Sequence, residues 1–280
     1  MNRILSIVVA ALAIATFSAF AAPGDVIVLD TFTGEDQPLT SGTGAGTYGL
    51  NGRNPDTTNL PGGAWMTPVN SWGNGIIGNS AWVNADSAIR YSIASAGGYT
   101  KPSLLTISAD INIGWTDAAT RAPRGLWIHD DPSTYFQGLG VGFFNGSSFY
   151  GLSLRSDDSG NRGLLFLHEG SIAGAANVTA QLPWVGAPFD SSVFHHLSYT
   201  VDTSSGAISA ITLDGNAYSA PVTSAFTAAA TDLTGFYVNS WAGDTYGYVD
   251  NFRVMEHIPE PSTLACVAVA GLLALRRRRA

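Results

Sequence analysis

The carboxylates of this sequence are spaced too far apart to form a catalytic pair on one strand. Between residues 22 and 257 the glutamates are Glu35, Glu169 and Glu256, and each stands far from the other two. Glycoside hydrolysis uses two carboxyl groups that flank the scissile bond. Glu169, at the end of an apolar run, is the best single candidate, and a solvated charge at a strand end is the alternative. The sequence therefore favours a protein that is not an enzyme.

Metal-binding and nucleophile motifs are also missing from the sequence. The pairs His168-Glu169 and His195-His196 are adjacent in the chain, and successive residues of a strand point to opposite faces, so neither pair can chelate one ion. Cys266 is the single cysteine, which excludes an intramolecular disulfide and a cysteine-based metal site. No G-x-S-x-G motif is present. A Ser-His-Asp site assembled from distant residues stays open, because such sites are defined by geometry.

Aspartates in loop-like stretches leave a structural calcium site open as an alternative, although no cofactor is required. Calcium in proteins takes oxygen ligands from carboxylates and carbonyls. The candidate ligands are Asp130, Asp131, Asp244 and Asp250. The other interpretation of Asp250-Asn251 is that these side chains satisfy local backbone groups at the start of the last strand.

The tryptophans are the residues whose chemistry points to a ligand. The chain has 7 of them, and four lie beside turn residues: Trp72, Trp115, Trp184 and Trp241. An aromatic ring offers an apolar face to a sugar, and neighbouring aspartate or asparagine side chains can bind its hydroxyls. The alternative for each tryptophan is packing in the core. The set therefore predicts carbohydrate binding by at least one exposed ring.

The composition excludes a nucleic-acid-binding groove and long amphipathic helices. Charged residues make up 12% of the chain, against about 25% in an average domain. Between Ala22 and Ile258, eight basic residues stand against twenty acidic ones, a net charge of −12. Such an acidic surface repels the phosphates of DNA and RNA.

Short apolar or alternating runs separated by Gly, Asn, Asp and Ser predict strands rather than helices. Thirteen runs qualify, and 34–63 reads as a long irregular loop. In the last run, period-two alternation predicts that Phe252 and Val254 face the core while Val249 and Arg253 face away from it. The predicted strands are 26–32, 81–83, 88–93, 104–113, 125–129, 136–144, 149–154, 163–168, 194–201, 207–213, 217–222, 234–240 and 248–255.

The two ends of the chain read as export signals. Arg3, the apolar run 4–20 and the small residues Ala19 and Ala21 are typical of a secretory signal peptide cleaved after Ala21. At the other end, an apolar run at 264–275 reaches about 18 Å as a helix, short of the ~30 Å hydrocarbon core. It precedes four arginines at 276–279, which hold such a segment at the cytoplasmic side.

Together with Pro259-Glu260-Pro261, this tail resembles the PEP-CTERM sorting signal of Gram-negative bacteria. The resemblance implies recognition of Pro259, Glu260 and Pro261 by an exosortase and transient membrane association of the apolar helix. It also implies removal of the tail, and a final location at the cell surface or outside the cell. Proteins with this signal often accompany exopolysaccharide and biofilm.

Three segments of the body resemble the concanavalin A-like lectin/glucanase superfamily, in particular its laminin G-like branch. Residues 28–32 (VLDTF) resemble a D-x-F first strand, and 248–254 (YVDNFRV) resemble the closing strand. Residues 194–215 resemble a W-H-x-L…D-G hairpin pair with Phe194 in the place of the tryptophan. The resemblance implies an all-β, two-sheet antiparallel β-sandwich of jelly-roll type. Hydrolases of this superfamily carry a Glu-x-Asp-x-(x)-Glu motif, which this sequence lacks.

These observations predict a signal peptide at 1–21, one β-sandwich domain at 22–257 and a sorting signal at 258–280. The first functional hypothesis is an exported, non-catalytic protein that binds extracellular polysaccharide. The alternatives are a protein-binding adhesin or structural biofilm component and, less favoured, a glycan-active hydrolase.

Overall fold

The computed structural model describes the chain in segments, which carry every structural statement below: residues 24–34, 50–60, 63–67, 74–84, 87–113, 138–146, 148–156, 163–171, 178–186, 190, 193–219, 232–239 and 246–258. The chain divides into two units: one is Asp25–Glu256, and the other comprises Met1–Gly24 and His257–Ala280. Within the described segments no helix is long and apolar enough to cross a membrane. The predicted signal peptide at 1–21, the predicted sorting motif with its tail at 259–280 and the predicted strand 125–129 lie outside the described residues.

The described part of Asp25–Glu256 is built from strands. Apolar side chains alternate with polar ones along the longer strands, as a sheet with one covered face requires. The fifteen strands are β1 (Val26–Asp30), β2 (Thr57–Thr58), β3 (Asn74–Ile77), β4 (Ser80–Asn84), β5 (Ser87–Ser92), β6 (Leu104–Asn112), β7 (Gly138–Asn145), β8 (Ser148–Ser156), β9 (Gly163–Ser171), β10 (Val178–Leu182), β11 (His195–Asp202), β12 (Ile208–Leu213), β13 (Asn216–Tyr218), β14 (Leu233–Asn239) and β15 (Tyr246–Glu256).

These strands form two antiparallel sheets. The large sheet has nine strands in the order β13-β12-β11-β6-β15-β1-β2, with β4 pairing β15 and β3 pairing β4. The small sheet has six strands in the order β10-β9-β8-β7-β14-β5. The all-β class and the two antiparallel sheets agree with the sequence prediction. β2, β3 and β10 were not predicted, and β2 lies within the stretch 34–63 that the composition suggests is an irregular loop.

The inner faces of both sheets share one hydrophobic core. On β6 the buried apolar residues alternate through Leu105, Ile107, Ala109 and Ile111. The phenol of Tyr199 on β11 is fully buried and donates a hydrogen bond to the Val141 carbonyl on β7 at 2.9 Å, which joins the two sheets. The sheets therefore pack face to face as a sandwich.

The last strand departs from the predicted alternation because it contains a β-bulge. Phe252 and Val254 are buried as predicted, but Val249 is buried too. The pairing of β15 with β6 shifts register between Asp250 and Arg253, and Asn251 has φ of +48°. A bulge adds one residue to a strand and resets which side chains face inward. The expectation that Val249 faces away from the core is wrong for this reason.

The bulge lies where one edge of β15 changes its pairing partner from β4 to β1. β15 pairs with β6 along one edge, whereas its other edge pairs with β4 over residues 246–249 and with β1 over residues 252–255. One long strand thus supports two shorter neighbours placed end to end, and the bulge separates their pairing segments.

Asp30, the last residue of β1, forms hydrogen bonds with described residues of the segment that follows this strand. Its buried carboxylate accepts hydrogen bonds from Phe32 N at 2.7 Å, Trp65 Nε1 at 2.6 Å and Arg53 Nη2 at 3.0 Å. Arg53 also pairs with the Asp56 carboxylate at 3.1 Å. Hydrogen bonding to Asp30 raises the pKa of Arg53 despite the opposing effect of burial. The hydrogen bonds to Asp30 thus hold Phe32, Arg53 and Trp65 against the end of β1.

Trp65 is the centre of an aromatic cluster in the core under this loop. Its ring lies 5.3 to 5.6 Å from the rings of Phe32, Tyr91, Phe236 and Phe252. These separations and the tilted or edge-to-face geometry are the ones that aromatic pairs prefer. Trp65 is therefore a core residue.

Candidate functional site

A pocket of about 270 Å³ lies at one lateral edge of the sandwich. Its lining comes from the segment after β10, the segment that leads into β11 together with the first residue of β11, and the hairpin formed by β12 and β13. Because β10 and β13 are edge strands of the two different sheets, closure of the sandwich is what brings these segments together. The lining residues are Trp184, Val185, Asp190, Val193, His195, Leu213, Asp214 and Asn216.

Trp184 is partly buried and is positioned by contacts with the edge strand. Its ring packs against the core, and its centroid lies 6.5 Å from that of Tyr218 on β13. The Tyr218 hydroxyl donates to the Val185 carbonyl at 2.9 Å and accepts from the Val185 N–H at 3.1 Å. Gly186 has φ of +112°, and a Cβ there would lie 2.6 Å from Asn216 Nδ2. The chain after Trp184 is thus held against β13 and can turn there because residue 186 is glycine.

The phenol of Tyr218 stays protonated in this setting. Burial raises its pKa, the backbone contact with Val185 opposes this, and the Asp214 carboxylate raises it further. A neutral phenol can donate and accept at once, which is what its two contacts with Val185 require.

His195 connects the other two segments of the pocket. Its ring is buried, with Nδ1 2.7 Å from Asp214 Oδ2 and Nε2 2.8 Å from the Asp190 carbonyl oxygen. The two contacts therefore join the segment that leads into β11 to the turn between β12 and β13.

The β12–β13 turn fixes the polar wall of the pocket. Asp214 and Gly215 have φ of +51° and +77°, as a two-residue hairpin turn of type I′ requires. Asp214 Oδ1 accepts the backbone N–H of His196 at 2.8 Å, and Asn216 Nδ2 donates to the Leu213 carbonyl at 3.4 Å. A carboxylate and an amide are thus held on a short, rigid hairpin.

Apolar side chains beside the pocket are unusually exposed. Val185 is 44% exposed, Val193 is 45% exposed and Phe194, next in sequence, is 43% exposed. Isolated exposed apolar residues are common, but grouped ones mark interaction surfaces. The pocket thus combines an aromatic ring, polar groups and an apolar rim.

Of the four tryptophans predicted to bind sugar, the structure places Trp184 in this pocket. Trp72, Trp115 and Trp241 lie outside the described residues. Sequence reasoning identified Asp214-Gly215 as a turn and His195-His196 as a pair on opposite faces, but it did not assign Asp190, His195, Asp214 or Asn216 to a site. The signal that could have found them is the Asp214-Gly215 turn, which follows the strand paired to β11.

Of the four predicted calcium ligands, Asp250 is the one that lies in the described part of the chain. There, no group of three or more His, Cys, Asp or Glu side chains is arranged to hold a metal ion. Asp250 Oδ1 accepts the backbone N–H of Asn251 at 2.7 Å, which matches the local-backbone interpretation. Burial raises the pKa of Asp250, the hydrogen bond from Asn251 N opposes this, and the carboxylates of Asp110, Asp30 and Asp56 raise it further. Asp130, Asp131 and Asp244 lie outside the described residues.

The second histidine–aspartate pair lies on the outer face of the large sheet. His196 Nδ1 is 2.6 Å from Asp110 Oδ1, and Asn251 Nδ2 donates to Asp110 Oδ2 at 2.7 Å. His195 and His196 therefore face opposite sides of β11, as the alternation predicts. Among the candidate acids, Glu256 ends β15, Glu35 lies outside the described residues, and the Glu169 side chain is not described.

Comparison with known proteins gives structural likeness at low sequence identity. No family model matches the chain, and no curated protein matches it. Among solved structures, the potassium-bound carbohydrate recognition domain of Emp46p matches with a TM-score of 0.41 and 12% identity over 70% of this chain and 89% of that one. The carbohydrate recognition domain of Emp47p matches with a TM-score of 0.42 and 11% identity over 75% and 93%. The binding domain of botulinum neurotoxin serotype G matches with a TM-score of 0.37 and 11% identity over 73% and 46%.

Proposed function

We propose that this protein is an exported, non-catalytic β-sandwich that binds an extracellular polysaccharide through the pocket at Trp184. The observation that carries the proposal is the composition of this pocket, which is lined by Trp184 together with the polar residues Asp190, Asp214 and Asn216. An indole offers an apolar face to a sugar ring, and carboxylate and amide groups bind hydroxyls. The hydrogen bonds of Tyr218 and His195 hold these groups in place before a ligand arrives, which lowers the entropic cost of binding.

The finer assignment is a concanavalin A-like sandwich of the laminin G-like branch. It is supported by the sequence motifs at 28–32, 194–215 and 248–254. In the structure Asp30 of the first motif fastens the following loop, and Phe252 of the last is buried in the core.

Export and surface location are proposed from the sequence of the two ends. Residues 1–21 serve as a signal peptide, and Pro259-Glu260-Pro261 with the apolar run and four arginines serves as an exosortase signal of the PEP-CTERM type. The tail then associates transiently with the inner membrane of a Gram-negative cell before its removal, and the partner outside the cell is exopolysaccharide of the biofilm matrix.

The direct test is binding of the secreted protein to polysaccharides from its own host and to a glycan array. We expect Trp184→Ala to weaken binding about thirtyfold, because loss of a central aromatic contact costs roughly 2 kcal/mol. Met66→Ala is the matched control, since Met66 is 40% exposed, apolar and outside the pocket. Absence of binding by the unmodified protein to every polysaccharide, or equal binding by Trp184→Ala, contradicts the proposal.

Two features of the same pocket favour specific alternatives. The exposed Val185, Val193 and Phe194 suit a protein partner, in which case an adhesin would self-associate or bind protein after all glycan is digested. Asp190 and Asp214 both line the pocket, and two carboxyl groups that flank a glycosidic bond can hydrolyse it. Release of reducing ends that stops in Asp190→Asn would identify a hydrolase.

A further inference from the structure

Arg90 places a positive charge on the outer face of the small sheet. Its neighbours on β5, Ile89 and Tyr91, are fully buried in the core, so alternation directs the Arg90 side chain to the opposite face. Arg90 is partly exposed there. Because β5 and β10 are the two edge strands of this sheet, Arg90 and the Trp184 pocket lie at opposite edges.

One contact fixes where the guanidinium lies. Arg90 Cζ is 4.9 Å from the centroid of the Phe144 ring on β7, a separation typical of a cation–π interaction. β14 lies between β5 and β7, so the Arg90 side chain extends over β14. The β14 residue paired with Arg90 is Gly235, which has no side chain to obstruct it. The charge is thus held over an aromatic ring that is itself fully buried.

This guanidinium has no counter-ion in the part of the chain that the structure describes. None of the ion pairs described there includes Arg90, and its buried Nε has no hydrogen-bond partner. Burial lowers the pKa of Arg90, whereas the hydrogen bond to Asp30 raises the pKa of Arg53. Since a guanidinium stays charged in a protein, Arg90 carries a partly desolvated charge that no carboxylate of the described residues offsets.

We propose that the Arg90 guanidinium binds the carboxylate of an acidic sugar, such as a glucuronic acid unit of the extracellular polysaccharide. The choice of a sugar as the carrier of the carboxylate rests on the proposed function. A planar guanidinium binds a planar carboxylate through two parallel, charge-assisted hydrogen bonds. Because Arg90 is partly exposed, an anion can reach it without displacing a carboxylate of the described residues.

The charge of the whole body limits how many carboxylates this ligand carries. Residues 22–258 have a net charge of −12, which repels a dense polyanion before contact. A single guanidinium does not offset this repulsion along a polysaccharide that is acidic at every unit. The site therefore fits a polysaccharide in which acidic sugars are spaced among neutral ones.

The experiment uses small probes, so that it reports on the Arg90 site without the rest of a polysaccharide. The full secreted protein is titrated at pH 7, where carboxylates are ionised, with methyl glucuronide, with methyl glucoside and with a blocked aspartate peptide. Binding is followed by nuclear magnetic resonance through the arginine Nε–H signals and the backbone amide signals.

We expect methyl glucuronide to shift the Arg90 Nε–H signal and to bind about tenfold more tightly than methyl glucoside, since hydrogen bonds to charged groups are among the stronger ones. The peptide should bind less tightly than methyl glucuronide. Its carboxylate is on a flexible side chain that loses rotational freedom on binding, whereas the sugar carboxylate is attached to a rigid ring.

Three variants separate the site from the general surface charge. Arg90→Gln removes the guanidinium and should abolish the preference for methyl glucuronide over methyl glucoside. Arg90→Lys keeps the charge and should retain part of the preference, because an ammonium lacks the paired donors. Lys101→Gln is the matched control: it also removes one positive charge, but Lys101 pairs with Asp232 at 2.8 Å, so the preference should stay in place.

The outcomes distinguish this inference from the proposed function. An Arg90 signal that methyl glucuronide does not shift, equal binding of methyl glucoside, or an equal loss in Lys101→Gln and Arg90→Gln overturns the acidic sugar site but leaves polysaccharide binding at Trp184 standing. A peptide that binds as tightly as methyl glucuronide assigns the carboxylate to a protein ligand and also overturns the inference. Binding of methyl glucuronide at Arg90 by a protein that binds no polysaccharide supports the carboxylate site and contradicts the proposed function.

Discussion

Replacing Asp30 by alanine removes the group that fastens one end of the sandwich. The buried carboxylate accepts hydrogen bonds from Phe32 N, Trp65 Nε1 and both Nε and Nη2 of Arg53, at distances of 2.6 to 3.3 Å. Asp30→Ala leaves the Arg53 guanidinium, whose side chain is 19% exposed, without this partner. It also leaves the Trp65 indole N–H without its acceptor inside the aromatic cluster.

The expected cost follows from these lost contacts. Removing one partner of a buried ion pair typically costs about 3–5 kcal/mol, because the remaining charge stays desolvated. Arg53 keeps a second acceptor in Asp56 at 3.1 Å, which favours the lower end of that range. The Trp65 N–H adds roughly 1–3 kcal/mol if it finds no other acceptor. We therefore expect Asp30→Ala to lower the free energy of unfolding by about 4 kcal/mol.

The measurement is equilibrium urea unfolding at neutral pH, followed by tryptophan fluorescence. Asp56→Ala is the matched control, because it also removes a carboxylate from Arg53 but its side chain is 32% exposed. Exposed ion pairs contribute about 0–1 kcal/mol, so this variant should lose about 1 kcal/mol once the contact with Thr31 N at 2.8 Å is included. A loss in Asp56→Ala that equals or exceeds the loss in Asp30→Ala would refute the reasoning.

Three further outcomes are expected. Phe252→Ala should cost about 3–5 kcal/mol in urea unfolding, since the ring is fully buried, whereas Arg253→Ala should cost less than about 1 kcal/mol; the reverse order would contradict the assigned facing. Burial, with smaller contributions from two nearby carboxylates, raises the pKa of Tyr99 to about 12, above the ~10 of an unfolded chain. The stability that the protonated Tyr99 contributes is therefore complete below pH ~10 and is lost as the pH rises through about 12. The urea midpoint should fall over this pH range, and Tyr99→Phe should reduce that fall. A fall of the same size in Tyr99→Phe would contradict this assignment. Intact mass of protein from the host should show a chain that begins at Ala22 and ends within 259–263, and a surface species that retains the arginines would contradict the sorting assignment.

The longer strands could be predicted because their apolar residues alternate visibly. Leu105, Ile107, Ala109 and Ile111 of β6 form such a pattern, and all four are fully buried. β2 could not be predicted, because its two threonines are defined by pairing with Val28 and Leu29 of β1 rather than by a pattern of their own. A two-residue strand has no period, so only the tertiary structure defines it.

The candidate site was predictable only in its aromatic part. Trp184 stands out in the sequence because it lies among turn residues. Asp190, His195 and Asp214 come from two other segments, and their meeting depends on β10 and β13 being edge strands on the same side of the sandwich. Neither the spacing nor the types of these residues encodes that adjacency.

A second bulge shows how the pocket depends on an irregularity that alternation cannot reveal. In β12, Ile208, Ile211 and Leu213 are buried, although strict alternation puts Ile208 on the face opposite the other two. The pairing of β12 with β11 shifts register at this point, and Ala210 has φ of +49°. The extra residue lets Ile208 stay in the core while Leu213 faces inward to line the pocket, with Asp214 at the turn beside His195. Because a bulge redirects the side chains that follow it, the irregular backbone of β12 determines that Leu213 faces inward and that Asp214 stands beside His195.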